Sequence, residues 1–391
     1  MRSLVLMEQM ITLLEHVVKV QEKLAEDHPS RLASQHALAG AYRANGQVDE
    51  AVTLLEHVVK VREKLAEDHP SRLASQHALA GAYRANGQVD EAVTLLEHVV
   101  KVEEKLAEDH PSRLASQHAL AAAYEANGQV DEAVTLLEHV VKVREKLAED
   151  HPSRLASQHA LAGAYRANGQ VDEAVTLTEH VVKVEEKLTE DHPSRLASQH
   201  ALASAYEANG QVDEAVTLLE HVVKVEEKLA EDHPSRLASQ HALAVAYEAN
   251  GQVDEAVTLL EHVVKVEEKL AEDHPSRLAS QHALADAYEA NGQVDEAVTL
   301  LEHVVKVQEK LAEDHPSRLA SQHALAVAYE ANGQVDEAVT LLEHVVKVQE
   351  KLAEDHPSRL ASQHALADAY RANGRVDEAL ELTIGLARVC M

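Results

Sequence analysis

The chain has 391 residues, 67 of them acidic and 36 basic, and its formal net charge is −31; that balance opposes a nucleic-acid backbone or an anionic membrane as partner and favours a basic or neutral one. It contains no Trp, no Phe and nine Tyr, too few rings for a base-stacking surface, and its one cysteine, Cys390, permits neither an internal disulfide nor a cysteine-based zinc site. The longest apolar runs are too short to span a bilayer, and Met1 to Thr12 lacks the basic region and cleavage site of a signal peptide, so a soluble, cytoplasmic protein is expected.

Residues 1–27 read as a lone helix, with Met7, Met10 and Ile11 where later copies carry Val, Ala and Val. After it, His-Pro recurs at His28, His69, His110, His151, His192, His233, His274, His315 and His356, always 41 residues apart. A fixed period of this length means a solenoid, in which each unit stacks on its neighbours. The nine units cover residues 28–373, and 374–391 form the last helix. The two ends read as caps, or equally as the cut ends of a longer array.

The second copy, HPSRLASQHALAGAYRANGQVDEAVTLLEHVVKVEEKLAED from His69, predicts two helices. The first opens at Pro70, whose missing N–H costs nothing there, and runs to about Asn86. Gly87 ends it, since glycine accepts the left-handed backbone of a helix C-terminus. The second opens near Val89 with Asp90 and Glu91 against the dipole and continues to about Leu106. A link this short makes the two helices antiparallel. A helical projection places Leu73, Leu79, Ala80 and Tyr83 of the first helix against Val89, Ala92, Val93, Leu96, Val99 and Val100 of the second. Tyr83, the only large ring, is expected to wedge between helices. The expected fold is all-α: a solenoid of antiparallel helix hairpins.

The set Leu79-Ala80, Tyr83, Gly87 and Asp90-Glu91-Ala92 resembles the tetratricopeptide signature, and the longer unit with its His-Pro entry resembles the kinesin-light-chain type of that repeat. Two positions depart: Gln76 stands where an aromatic is usual, and Leu96 where another is common. A closer likeness is to the near-identical C-terminal repeats of filamentous-fungal nucleotide-binding receptors of the STAND, or NLR-like, type. The resemblance implies a right-handed superhelix with a concave binding groove and, in such receptors, a sensor role in innate immunity. The chain carries no G-x-x-x-x-G-K-[S/T] phosphate loop.

The copies differ from one another at three positions per repeat. The first is Gly40, Gly81, Ala122, Gly163, Ser204, Val245, Asp286, Val327 and Asp368. The second is Arg43, Arg84, Glu125, Arg166, Glu207, Glu248, Glu289, Glu330 and Arg371. These two lie three apart on the first helix and share a face opposite the core, beside His36, His77, His118, His159, His200, His241, His282, His323 and His364. By the resemblance this stripe lines the concave groove, and all 27 residues are candidate ligand contacts. The third position, near the end of the second helix, is Gln21, Arg62, Glu103, Arg144, Glu185, Glu226, Glu267, Gln308 and Gln349. Its charged members are placed at the groove edge.

Drift on solvent-facing sites would also produce such variation, but it predicts equal drift on the outer face of the second helix. That face (Thr94, Glu97, His98, Lys101, Lys105) is nearly constant. The acids of repeats five to eight suit a basic peptide, and a solvated acidic face is the bland alternative. The histidine ladder reads as a pH sensor or as one polar contact copied nine times. His282, Asp286 and Glu289 share a stripe that a divalent metal could use, as could His364 with Asp368, but a surface His–Asp pair explains them equally, and no metal or cofactor is expected. Ser75 and His77 face different directions, so no nucleophile–base pair is present and the protein is not expected to be an enzyme. Recognition of a peptide or protein is therefore the expected function. The alternatives are a structural or self-assembling scaffold, excised or engineered, whose units stack end to end, and a cargo adaptor of the kinesin-light-chain kind.

Overall fold

The computed structural model describes residues 2–352 and 356–389, among which there are nineteen α-helices and no strand. Two compact units divide the chain, residues 1–209 and 210–391. The first holds α1 (Arg2–Gln21), the hairpins α2/α3 (Pro29–Ala44, Val48–Arg62), α4/α5 (Pro70–Ala85, Val89–Glu103), α6/α7 (Pro111–Ala126, Val130–Arg144) and α8/α9 (Pro152–Ala167, Val171–Glu185), and α10 (Pro193–Ala208). The second holds α11 (Val212–Glu226) and the hairpins α12/α13 (Pro234–Ala249, Val253–Glu267), α14/α15 (Pro275–Ala290, Val294–Gln308), α16/α17 (Pro316–Ala331, Val335–Gln349) and α18/α19 (Pro357–Ala372, Val376–Val389).

Local chemistry sets the boundaries. His69 is extended at φ −66° and ψ 124°, and its Nδ1 accepts the Ser71 N–H at 3.2 Å, capping α4 with Pro70 at the first helical position. At the other end Gly87 takes φ +77°, and the Gln88 N–H reaches back to the Tyr83 carbonyl at 2.9 Å. The second helix stops at Glu103, about a turn before the expected Leu106. The reason lies in the next repeat. Arg113 Nη1 donates to the carbonyls of Glu104 at 3.3 Å and Leu106 at 3.0 Å, satisfying groups that a longer helix would have bonded internally.

One apolar cluster packs each hairpin on the next, and a second closes the hairpin itself. One joins Ala80, Ala92, Val93 and Leu96 to Leu120 and Ala123 of the following first helix, with Tyr83 and Tyr124 alongside. The other joins Leu73 to Val99 and Val102. Val102, which the projection left out, is buried, whereas Val89 and Val100 are only half-buried. Fully burying a valine or leucine contributes about 1.5–3 kcal/mol, so stacking is the main source of stability. Gln76 is also buried, and its Oε1 has no hydrogen-bond partner.

Tyr83 does lie between helices, and it also makes a contact the sequence did not announce. Its hydroxyl donates to Glu56 Oε1 of the preceding repeat at 2.8 Å. Asn86 Nδ2 reaches Asp49 Oδ1 of that same repeat at 3.0 Å. The clasp recurs in the second unit as Tyr288–Glu261 at 2.9 Å and Asn291–Asp254 at 3.0 Å. It also explains why Glu97 on the outer face is constant: Tyr124 donates to it at 2.8 Å. Constancy at Glu97 is therefore structural, and to that extent the contrast with the variable stripe is weaker evidence for ligand selection than the sequence suggested.

The end helices expose apolar faces. On α1, Ile11 is buried while Leu13, Val17 and Val20 are exposed. On α19, Leu386 is buried while Val376, Leu380 and Ile384 are exposed. Cys390 and the Met7 side chain lie outside what the structure describes. Among the described residues no helix is long and apolar enough to cross a membrane.

Candidate functional site: the first-helix stripe

In the first unit the stripe residues of three repeats line one cavity of about 970 Å³. His36, Gly40 and Arg43 of α2, His77, Gly81 and Arg84 of α4, and His118 and Ala122 of α6 all face it. Small residues at the first variable position keep this groove deep. A Cβ on Gly40 would meet nothing within 4 Å, whereas one on Gly81 would meet Arg43 Nη1 at 2.8 Å. The guanidinium of one repeat thus lies across the glycine of the next. In the second unit Val327 and Glu330 of α16 and Asp368 and Arg371 of α18 line a second cavity of about 760 Å³.

The stripe glutamates are half-buried, whereas Asp286 and Asp368 are exposed. Burial raises the pKa of Glu125, with Arg84 opposing, and of Glu207, with Arg166 opposing. In the second unit burial also raises Glu248, Asp286 and Glu289, and the Asp286 charge pushes both glutamates further up. Glu330 is raised by burial and then by Asp368, with Arg371 opposing. Asp368 itself pairs with Arg371 Nη1 at 2.7 Å, both well exposed. The first variable position runs from half-buried at Gly81, Ala122, Gly163 and Ser204 to exposed at Gly40, Val245, Asp286, Val327 and Asp368.

The histidines are not a row of free imidazoles. His364 is exposed, and the others are half-buried. His118 Nε2 meets Ser157 Oγ of the next first helix at 3.1 Å, His159 Nε2 meets Ser198 Oγ at 2.7 Å, and His282 Nε2 meets Ser321 Oγ at 2.8 Å. Burial, then Arg144, pushes His118 down to about 4, so it stays neutral at physiological pH. Burial lowers His282 and His323, lowers His159 against Glu185, and lowers His36 together with Arg62 and Arg43. These contacts favour the copied polar contact over the sensor. They also dismantle the candidate metal group: His282 turns toward Ser321, and among the described residues no three metal-ligating side chains gather.

The third variable position is not at the groove's edge. Glu103, Glu185, Glu226 and Glu267 are all at most 4 % exposed, as are Gln308 and Gln349, while Arg62 and Arg144 are half-buried. The last turn of the second helix is covered here by the next repeat's first helix. Arg62 Nη1 donates to the Ser71 carbonyl at 2.9 Å. The Ser198 hydroxyl donates to Glu185 Oε2. Sequence reasoning weighed Ser75 only against His77 of its own helix and missed the His–Ser contacts between repeats: Ser75, Ser157, Ser198 and Ser239 are completely buried. Their only signal was being constant beside a variable partner.

The tetratricopeptide repeat family matches nine overlapping segments of the chain: 6–64, 34–105, 71–146, 112–187, 153–228, 194–269, 235–310, 276–351 and 317–382. Among solved structures, the nearly identical TPR-like repeats of a candidate kinesin light chain from Podospora anserina are 64% identical, covering 52% of this chain and 98% of that one, with a TM-score of 0.48. BtubC (BKLC) from P. vanneervenii is 17% identical over 58% of this chain and 94% of its own, with a TM-score of 0.49. The apo form of RapI is 11% identical over 91% and 97%, with a TM-score of 0.55, a likeness of fold alone. No curated protein matches the chain.

Proposed function

The chain belongs to the tetratricopeptide repeat family, and on that premise we propose that it is a non-enzymatic recognition module that holds a peptide or protein along its first-helix stripe. One observation carries the reading: variable positions of neighbouring repeats meet in a cavity of each unit, Gly40, Arg43, Gly81, Arg84 and Ala122 in the first and Val327, Glu330, Asp368 and Arg371 in the second. A surface built by repetition and varied only where it opens to a ligand is how solenoids acquire specificity. In the second unit Glu248, Asp286, Glu289 and Glu330 suit a Lys/Arg-rich segment. Burial is the first cause of their raised pKa values, and for Glu248, Glu289 and Glu330 a neighbouring aspartate adds repulsion that a bound cation would relieve.

The finer role proposed is that of a sensor array of a fungal NLR-like receptor. The 64% identity to repeats from Podospora anserina supports a fungal setting, and the kinesin-light-chain name of that relative keeps a cargo-adaptor role as the competitor. Fluorescence anisotropy with a labelled Lys/Arg-rich peptide tests the acidic stripe. Binding that is lost when Glu248, Glu289 and Glu330 become Gln and Asp286 becomes Asn is expected; unaltered affinity in that variant would refute the acidic-groove reading.

A second reading, end-to-end self-association, draws on the exposed Leu13, Val17 and Val20 of α1 and Val376, Leu380 and Ile384 of α19. Light scattering that grows with protein concentration would favour it over a monomeric binder.

A further inference from the structure

We propose that the junction between the second and third repeats holds a guanidinium-binding subsite, with the Glu103 carboxylate as its anion and an arginine side chain of the groove's ligand as its occupant. Glu103 is buried, its Oε2 has no hydrogen-bond partner, and it forms part of the wall of the first unit's cavity. His77 lines the same cavity, and its Nε2 is also without a partner. A buried carboxylate oxygen lacking a donor is costly, and a charge-assisted hydrogen bond from a guanidinium is the strongest relief available.

The chain itself shows that a guanidinium fits this place. At the preceding junction the equivalent residue is Arg62, whose Nη1 donates to the Ser71 carbonyl at 2.9 Å. At the following junction Arg144 Nη1 donates to the Ser153 carbonyl at 2.7 Å and also meets His118 Nε2 at 3.1 Å and Ser157 Oγ. Ser112 is the counterpart of Ser71 and Ser153, and it too lines the cavity beside Glu103. Here the position of the arginine is taken by the carboxylate that an arginine would neutralise. Arg43 and Arg84 border the same cavity and repel a bare cation. The fitting ligand group is therefore an arginine with a carboxylate close by, as at a peptide C-terminus.

The subsite rests on the groove being a binding surface, but it is read out separately from the acidic stripe of the second unit. Titration calorimetry on the full chain would compare N-acetylarginine with N-acetylcitrulline, which has nearly the same shape and no charge. Saturable binding of N-acetylarginine, at least about tenfold tighter than that of N-acetylcitrulline, is expected for desolvated charge pairing. It should disappear in Glu103→Gln and in Glu103→Arg. Both variants should fold, because Gln308 and Gln349 or Arg62 and Arg144 already occupy the equivalent place. Equal binding of the two probes, unchanged binding by Glu103→Gln, or no binding by the native chain would each overturn the subsite. The last result would mean that Ser116 satisfies Glu103 as Ser198 satisfies Glu185. None of these outcomes touches the Lys/Arg-peptide test at Glu248, Glu289 and Glu330.

Discussion

The tyrosine clasps set an alkaline limit on the stack. Tyr42, Tyr83, Tyr124, Tyr165, Tyr247, Tyr288 and Tyr329 are each pushed up to about 12, first by burial, then by the hydrogen bond to the preceding repeat's glutamate and that glutamate's charge. The phenol is neutral when protonated, so a raised pKa stabilises the fold wherever the proton is retained. That contribution is complete below the unfolded value of 10.0 and is lost as pH rises through the folded value of about 12. Linkage gives an upper bound of roughly 2.7 kcal/mol per tyrosine. The hydroxyl and its glutamate are exposed, at 2.8 Å for Tyr165 and Glu138, so screening reduces this to about 1 kcal/mol.

Two assays check the argument. Tyrosinate absorbance should rise together with loss of helical circular dichroism between pH 10 and about 12. Tyr165→Phe, which keeps the ring and removes the clasp, should lower stability by about 1 kcal/mol in urea unfolding at neutral pH. Tyr370 should ionise ahead of the others, because Arg375 lies 4.2 Å over its ring and its charge opposes the upward shift. Tyrosines that ionise near pH 10 while helicity persists would refute the reasoning, as would a Phe variant of native stability.

Glycine substitutions should separate turn from groove. Gly163→Ala, helical and with nothing within 4 Å of the added methyl, should stabilise by about 0.5–1 kcal/mol, whereas Gly169→Ala at φ +75° should destabilise, both read from denaturant midpoints. Gln158→Met replaces a buried amide whose Oε1 has no partner and should raise the thermal midpoint; a fall would show that the amide makes bonds worth keeping. For the acidic stripe, affinity for a Lys/Arg-rich peptide should fall as pH is lowered, beginning above the usual carboxylate range because Glu248, Asp286 and Glu289 are raised; a flat profile down to ordinary carboxylate values would count against the groove charges.

The hairpins were legible because His-Pro, Asn-Gly and the apolar arc are local signals repeated in register. Gly87 at φ +77° and the His69 cap needed no tertiary knowledge. The stripe was legible for the same reason: residues three and four apart on one helix must share a face. What lay beyond the sequence were contacts between repeats. Tyr83 and Glu56 are 27 residues apart, and nothing in either helix announces the other. Their constancy was visible, but constancy has the same appearance whether it reflects a bond or recent duplication of the copies.

The third variable position failed for a different reason. A residue that alternates among Arg, Glu and Gln looks solvated, because burial of any one of them alone is costly. The structure shows how arginine and glutamate can be accommodated in this place, whereas the Oε1 of Gln308 and of Gln349 has no partner there. Arginine and glutamate each have a flexible stem, and the constant histidine and serine around it can donate or accept: Ser198 donates to Glu185, while Arg144 finds His118 and Ser157. The junction is therefore a polar socket whose lining stays fixed while its charge changes. Because that socket opens beneath the stripe at Glu103, the variable residue alters the floor of the groove rather than its rim. Copies that look nearly identical on the surface can then differ in the charge they present from below, so the chemistry of the groove has to be worked out junction by junction, with the stripe as only one of its two layers.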